Sequence, residues 1–180
     1  MERIFLIGYM GAGKTFLGNA LACKMHLFRI DTDHFIENRY RKKVSEIFAV
    51  EGENRFREIE HKIISELSEL EDVIISTGGG LPCFNNNMEL MNRKGTTVYL
   101  EVSVDELVRR LKTDKATRPV LQGRSGEELR AFIAENLEKR KPFYEQAKIR
   151  FNAELMDGKK DIDTLAERLK EIISLYNYRD

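Results

Sequence analysis

A three-layer α/β/α sandwich around a five-stranded parallel sheet is the fold this sequence predicts, from three observations. Short, largely apolar runs recur along the chain, amphipathic helical patterns separate them, and the runs halt at glycine, serine or aspartate. A strand covered by helices on both faces reads as a continuous apolar run, and regular alternation of strand with helix marks parallel crossover units. Ligands of such sheets collect beyond the carboxyl ends of the strands.

In chain order, Ile4-Phe5-Leu6-Ile7 is the first strand, stopped by Gly8, and Phe16 to Met25 the first helix. Phe28-Arg29-Ile30 ends at Asp31 and leads into a helix from His34 to Tyr40. A long helix from Asn54 to Leu70 places Phe56, Ile59, Ile63, Ile64 and Leu67 at helical spacing. Val73-Ile74-Ile75 is the third strand, ending before Gly78, and Asn85-Asn86-Asn87 starts a helix. Val98-Tyr99-Leu100 is the fourth strand. Ser103 with Glu106, and Ser125 with Glu128, have capping-box spacing and predict helices from about Val104 and Gly126. Ile149-Arg150-Phe151 is a weaker fifth strand, and Ile162 to Tyr176 closes the chain as a helix.

With 180 residues the chain reads as one domain, residues 1–180. Thirty Lys+Arg against thirty Asp+Glu leave zero formal charge. That removes a global electrostatic case for nucleic acid or an anionic membrane. Cys23 and Cys83 have neither paired nor metal-ligand spacing, which fits a reducing, cytosol-like compartment. Met1 to Ile7 is too short for a signal peptide or a membrane span.

Gly8-Tyr9-Met10-Gly11-Ala12-Gly13-Lys14-Thr15 matches G-x-x-x-x-G-K-[ST] directly between a strand and a helix. A chance match at this chain's composition has a probability of roughly 0.005 before that context is demanded, so the motif is specific. The glycines let backbone N–H groups wrap a polyphosphate at a helix N-terminus, Lys14 supplies a charge to the terminal phosphates, and Thr15 offers a hydroxyl to Mg²⁺. This is a nucleoside triphosphate site. A GTPase is disfavoured: Leu111-Lys112-Thr113-Asp114 lacks the Asn of a guanine reader, and no Asp has Gly three residues on. An ATPase motor usually ends a strand with two adjacent acids, whereas Asp31-Thr32-Asp33 spaces them by one.

Asp31 and Asp33 follow the second strand at the ligand edge, where one can serve a metal and the other a substrate; the plainer alternative is that one caps the next helix. Gly78-Gly79-Gly80 follows the third strand and lets a ligand lie against the backbone, unless it is a simple turn. The segment Arg109 to Arg124 holds Arg109, Arg110, Lys112, Lys115, Arg118 and Arg124 against Asp114 alone, a local charge of +5.

The phosphate loop, Asp31-Thr32-Asp33, Phe56-Arg57-Glu58-Ile59-Glu60, Gly78-Gly79-Gly80, Arg118-Pro119 and Lys139-Arg140-Lys141-Pro142-Phe143-Tyr144 resemble, in this order, the motifs of shikimate kinases. The resemblance spans nearly the whole chain. It implies ATP-dependent phosphorylation of the 3-hydroxyl of shikimate on a P-loop kinase fold with a mobile lid, here about residues 112–124, and an acceptor region at about 32–60. Gly11, Ala12, Gly13, Lys14, Thr15 and Phe16 would hold ATP, with Arg110 stacking on adenine and Arg118 presented to the transferring phosphoryl. Thr15 and Asp31 would serve Mg²⁺. Asp33, Arg57, Gly79, Gly80 and Arg140 would bind shikimate, the two arginines gripping its carboxylate, and Lys14, Asp33 and Arg118 would carry catalysis.

Chemistry supports the division, because a hydroxylated carboxylic acid needs cationic forks at one end and a carboxylate at the hydroxyl end. Glu60, three residues after Arg57, is placed to hold that guanidinium. Phe48 and Phe56 resemble the family's pocket walls or are simply core. The stretch Asn152 to Asp161 lacks a proline found in many relatives, which leaves the adenine contacts open. Rival readings are another small-molecule kinase of this fold, acting on gluconate or a nucleotide, and a nucleotide-binding protein without transfer activity. A monomer in the cytoplasm, without nucleic-acid or membrane partner, completes the expectation.

Overall fold

The structure is a computed structural model that describes residues 2–113 and 123–178. Its sheet has strands β1 (Arg3–Ile7), β2 (Phe28–Asp31), β3 (Val73–Ser76), β4 (Thr96–Glu101) and β5 (Ile149–Asn152) in the order β2-β3-β1-β4-β5, every neighbouring pair parallel. All five predicted strands form. The apolar runs explain themselves: Ile4, Phe5, Leu6 and Ile7 are fully buried, and each such side chain contributes about 1.5–3 kcal/mol by leaving water.

Around the sheet lie α1 (Lys14–Met25), α2 (Thr32–Tyr40), α3 (Val44–Leu67), α4 (Asn87–Lys94), α5 (Val104–Thr113), α6 (Gly126–Tyr144) and α7 (Lys159–Asn177), with a 3₁₀ turn at Leu81–Cys83. Helices α1 and α7 pack on each other, as do α2 with α3 and α5 with α6. Register aligns the strand ends: Asp31 pairs with Ser76, and Ser76 with Leu6. The loop after β1, the end of β2 and the loop after β3 therefore leave the sheet side by side.

Several element boundaries differ from the sequence reading, two of them with a local cause. Helix α2 starts at Thr32 rather than His34, because Asp31 caps it. Helix α3 begins at Val44, ten residues before Asn54, and breaks at Gly52, whose φ of 80° and ψ of 169° are not helical. The early segment is held by its own apolar face, Ile47 buried and Phe48 half-buried, and by the Lys43 amide donating to Glu46 Oε2 at 2.9 Å. Both predicted capping boxes are incomplete. The Glu106 amide donates to Ser103 Oγ at 3.2 Å, but the Ser103 amide donates to Glu154 Oε2, since Arg109 and Arg110 take the Glu106 carboxylate. Helix α6 starts where expected without a Ser125 side-chain bond; Gly126, at φ 52°, leaves the right-handed geometry that the box requires.

Candidate active site

Residues Gly8 to Gly13 wrap the N-terminus of α1. Gly13 caps it at φ 93°, a left-handed conformation that favours glycine, and a Cβ there would lie 2.5 Å from Met156 Sδ. The Ala12 amide donates to the Tyr9 carbonyl at 3.1 Å, closing the loop, and Ala12 itself is buried. Lys14 curls back, its Nζ donating to the carbonyls of Gly8 at 2.8 Å and Tyr9 at 2.9 Å. That holds the ammonium over the loop it is expected to serve.

Asp31 caps the next helix with one oxygen and reaches the phosphate loop with the other. Oδ1 accepts from the amides of Asp33 at 3.1 Å and His34 at 3.3 Å, capping α2. Oδ2 accepts from Thr15 Oγ1 at 2.9 Å and from Arg29 Nη2 at 3.3 Å. The carboxylate thus ties β2 and α2 to the phosphate loop.

Arg57, on α3, is almost enclosed. Its Nη1 donates to Glu60 Oε2 at 2.6 Å, and its Nη2 and Nε donate to Glu53 Oε1 at 2.9 and 3.3 Å. The guanidinium carbon stands 4.1 Å from the Phe84 ring centre and 5.5 Å from those of Phe48 and Phe56. Phe56 is buried and Phe48 half-buried, and both serve as walls around this cation and as core. Gly80 lets the guanidinium lie against the backbone, since a Cβ there would be 2.6 Å from Nη1. Arg140, on α6, sits 5.4 Å from the Tyr9 ring centre, and its Nη1 would lie 3.6 Å from a Cβ on Gly79. The Tyr144 hydroxyl donates to the Gly79 carbonyl at 2.6 Å and fixes the glycine run.

Asp33 and Glu60 flank Gly78: a Cβ at that position would meet Asp33 Oδ1 at 2.6 Å and Glu60 Oε1 at 3.2 Å. Burial pushes the Glu60 carboxyl up to about 7; Arg57 and Arg140 oppose the rise and the nearby Asp33 adds to it. A cavity of about 990 Å³ runs along the phosphate loop, walled among others by Gly13, Lys14, Thr15, Asp31, Asp33 and Gly79. Gly11, Phe16 and Arg110 line it too, Phe16 being well exposed. Arg57, Gly80 and Arg140 are off this wall and connect to it through Gly78 and Gly79.

Arg110 is anchored by four acceptors: Glu106 Oε1 at 2.6 Å, the carbonyls of Ala153 and Glu154 at 2.8 Å each, and the Gly11 carbonyl at 3.3 Å. It joins the phosphate loop to the segment after β5, from which Met156 faces Gly13. The basic run is less bare than its sequence count, because Arg109 pairs with Glu106 and Asp157, residues outside it. Arg118, and most of the predicted lid, lie outside the described residues.

Glu53, Phe84, Tyr144 and Met156 belong to this site and were not singled out as site residues from sequence. Glu53 had a signal, its i,i+4 spacing to Arg57. Tyr144 closes a quoted motif, but neither Phe84 nor Met156 has a local pattern to betray it.

The shikimate kinase family model matches residues 10–172. The chain is 60% identical to the shikimate kinase of Parabacteroides distasonis over 96% of its length and all of that protein. The 1.7 Å crystal structure of shikimate kinase from Bacteroides thetaiotaomicron superposes with a TM-score of 0.93 at 51% identity, covering 96% of this chain and 98% of that one. Shikimate kinase from Acinetobacter baumannii in complex with shikimate matches with a TM-score of 0.84 at 31% identity, over 97% and 94% of the two chains.

Proposed function

The chain belongs to the shikimate kinase family, and on that premise we propose how its residues divide the transfer of a phosphoryl group from ATP to a hydroxyl of shikimate. The protein is an ATP-dependent kinase of aromatic amino acid biosynthesis. Lys14 and the Gly13 amide hold the transferring phosphoryl, and Arg118, within the 112–124 lid, neutralises its developing charge. Asp33 orients the 3-hydroxyl and takes its proton as the oxygen bonds to the γ-phosphorus and the bond to the bridging oxygen breaks. Arg57, from the acceptor region, and Arg140, from α6, grip the carboxylate, with Gly79 and Gly80 of the loop after β3 beneath the ring. Gly11 to Phe16 carry ATP, and Arg110 backs the adenine.

One observation carries this reading: the phosphate loop and Asp33 face a single cavity, while Arg57, next to Asp33 through Glu60, is already held at the acceptor end. The donor set beside Lys14 also fits Mg²⁺. Thr15 Oγ1 and Asp31 Oδ2 are hard oxygens 2.9 Å apart, the kind of donors that hold Mg²⁺ together with the substrate's phosphates. When bound, that ion supplies charge neutralisation at the phosphates.

We take the protein to be a cytoplasmic monomer without nucleic-acid partner; zero formal charge supports the last point and two free cysteines a reducing compartment. No helix of the described residues is long and apolar enough to cross a membrane. A coupled assay of ADP release with and without shikimate tests the activity. Shikimate-dependent release is expected, and release indifferent to shikimate would overturn the reading.

A further inference from the structure

We propose that Glu53 sets acceptor affinity by competing, as a tethered carboxylate, with the substrate carboxylate for Arg57. The inference rests on the reading that Arg57 grips that carboxylate. A guanidinium offers parallel N–H pairs on two edges, Nε with Nη2 and Nη1 with Nη2, and fork-to-fork recognition of a carboxylate needs one of them. Glu60 already occupies Nη1 at 2.6 Å. The other edge is covered by Glu53, whose Oε1 alone accepts from both Nη2 and Nε. An incoming carboxylate therefore meets a carboxylate in place.

The two acids differ in how easily they yield. The Glu60 side chain is 2% exposed, sealed beneath Arg57, whereas that of Glu53 is 55% exposed. Glu53 contributes one oxygen at 2.9 and 3.3 Å rather than a bidentate pair, and it directly follows Gly52, where α3 breaks. Rotation into water costs it little, while Glu60 would have to leave a buried pair. Arg57 does not depend on Glu53 for its position: Glu60, the Phe84 ring and the Gly80 backbone hold the guanidinium without it. Glu53 thus adds competition and like-charge repulsion, and little preorganisation.

Calorimetric titration of shikimate and of its carboxamide into wild type, Glu53→Gln and Arg57→Ala, with steady-state kinetics alongside, tests this. Glu53→Gln should bind shikimate about two- to fivefold more tightly, the scale of a half-exposed ion pair, with the effect on KM for shikimate rather than on kcat and with carboxamide affinity unmoved. Unchanged or weaker shikimate binding in Glu53→Gln, with Arg57→Ala impaired toward shikimate, would overturn the competitor role and leave the Arg57 clamp standing. If Arg57→Ala bound shikimate as well as wild type, the clamp itself would fall, and this inference with it.

Discussion

Gly80→Ala isolates the acceptor arginine without touching it. The backbone at Gly80, φ −86° and ψ −23°, suits alanine, so the substitution carries no conformational strain. All of its effect must come from the methyl, which would sit 2.6, 2.8 and 3.0 Å from Nη1, Nη2 and Cζ of Arg57. A long arginine usually swings aside. Here it cannot do so cheaply: the side chain is 11% exposed, bonded to Glu60 at 2.6 Å and walled by Phe84, Phe48 and Phe56. Overpacking of this kind costs about 1–3 kcal/mol, and one misplaced charge-assisted hydrogen bond about 1.5–3 kcal/mol. Shikimate affinity should therefore fall about ten- to a hundredfold, with KM for ATP within about twofold of wild type. The assay is a double-mutant cycle by calorimetry: in an Arg57→Ala background the methyl has no guanidinium to meet, so Gly80→Ala should add almost nothing. An equal loss in both backgrounds would refute the reasoning, because the methyl would then be acting on something other than Arg57.

Lys14→Met should lower turnover on the order of 10²-fold or more at saturating MgATP with the fold intact, since the charge is lost from the first turn of α1 at the cavity rather than from the core; near-wild-type turnover would remove Lys14 from the mechanism. Asp33→Asn should depress catalysis more than ATP binding, and calorimetry showing nucleotide affinity collapse with normal shikimate binding would exchange the roles of Asp33 and Asp31. The buried Glu60 carboxyl, raised from 4.5 to about 7, binds a proton in the folded state more readily than in the unfolded one. Its ionisation therefore withdraws stability as pH rises from about 4.5 to about 7, by at most about 3 kcal/mol, so melting curves should show wild type losing ground to Glu60→Gln over that window; parallel curves would contradict it.

What was legible in the sequence follows the range of the forces involved. The strands were readable because burial on both faces leaves an apolar run such as Ile4 to Ile7 in one place. The phosphate loop was readable because its demands, glycines at set positions and a lysine before a helix, are met by adjacent residues. Helix α3 was half read: its core-facing stripe beyond Asn54 is strong, but the Val44–Glu51 segment is short and set off by Gly52, so its helicity depends on packing that Ile47 and Phe48 find only in the fold. Capping was half read for the same kind of reason: both helices start where the spacing placed them, but neither box is complete. Ser103 and Glu106 have the right spacing, yet Glu154, Arg109 and Arg110 compete for the same donors and acceptors, and Glu154 is 51 residues from Ser103.

The acceptor end shows the limit most clearly. Arg57 and Glu60 could be paired from spacing alone, because three residues of helix fix their separation. That Glu60 is also beside Asp33 could not, since Gly78 brings them together from a third element and a glycine reveals nothing of what it lets approach. This through-space step matters for function. It ties the group expected to take the hydroxyl proton to the group holding the carboxylate-binding arginine, so substitutions at Asp33 and Glu60 should not be additive: with the Asp33 charge removed, Glu60 ionises more easily. In Asp33→Asn the Glu60 carboxyl should titrate below its wild-type value, because a neighbour that raised it is gone. Carboxyl titration by NMR in wild type and Asp33→Asn measures the shift, and an unmoved Glu60 would show that the two ends of the acceptor site act independently.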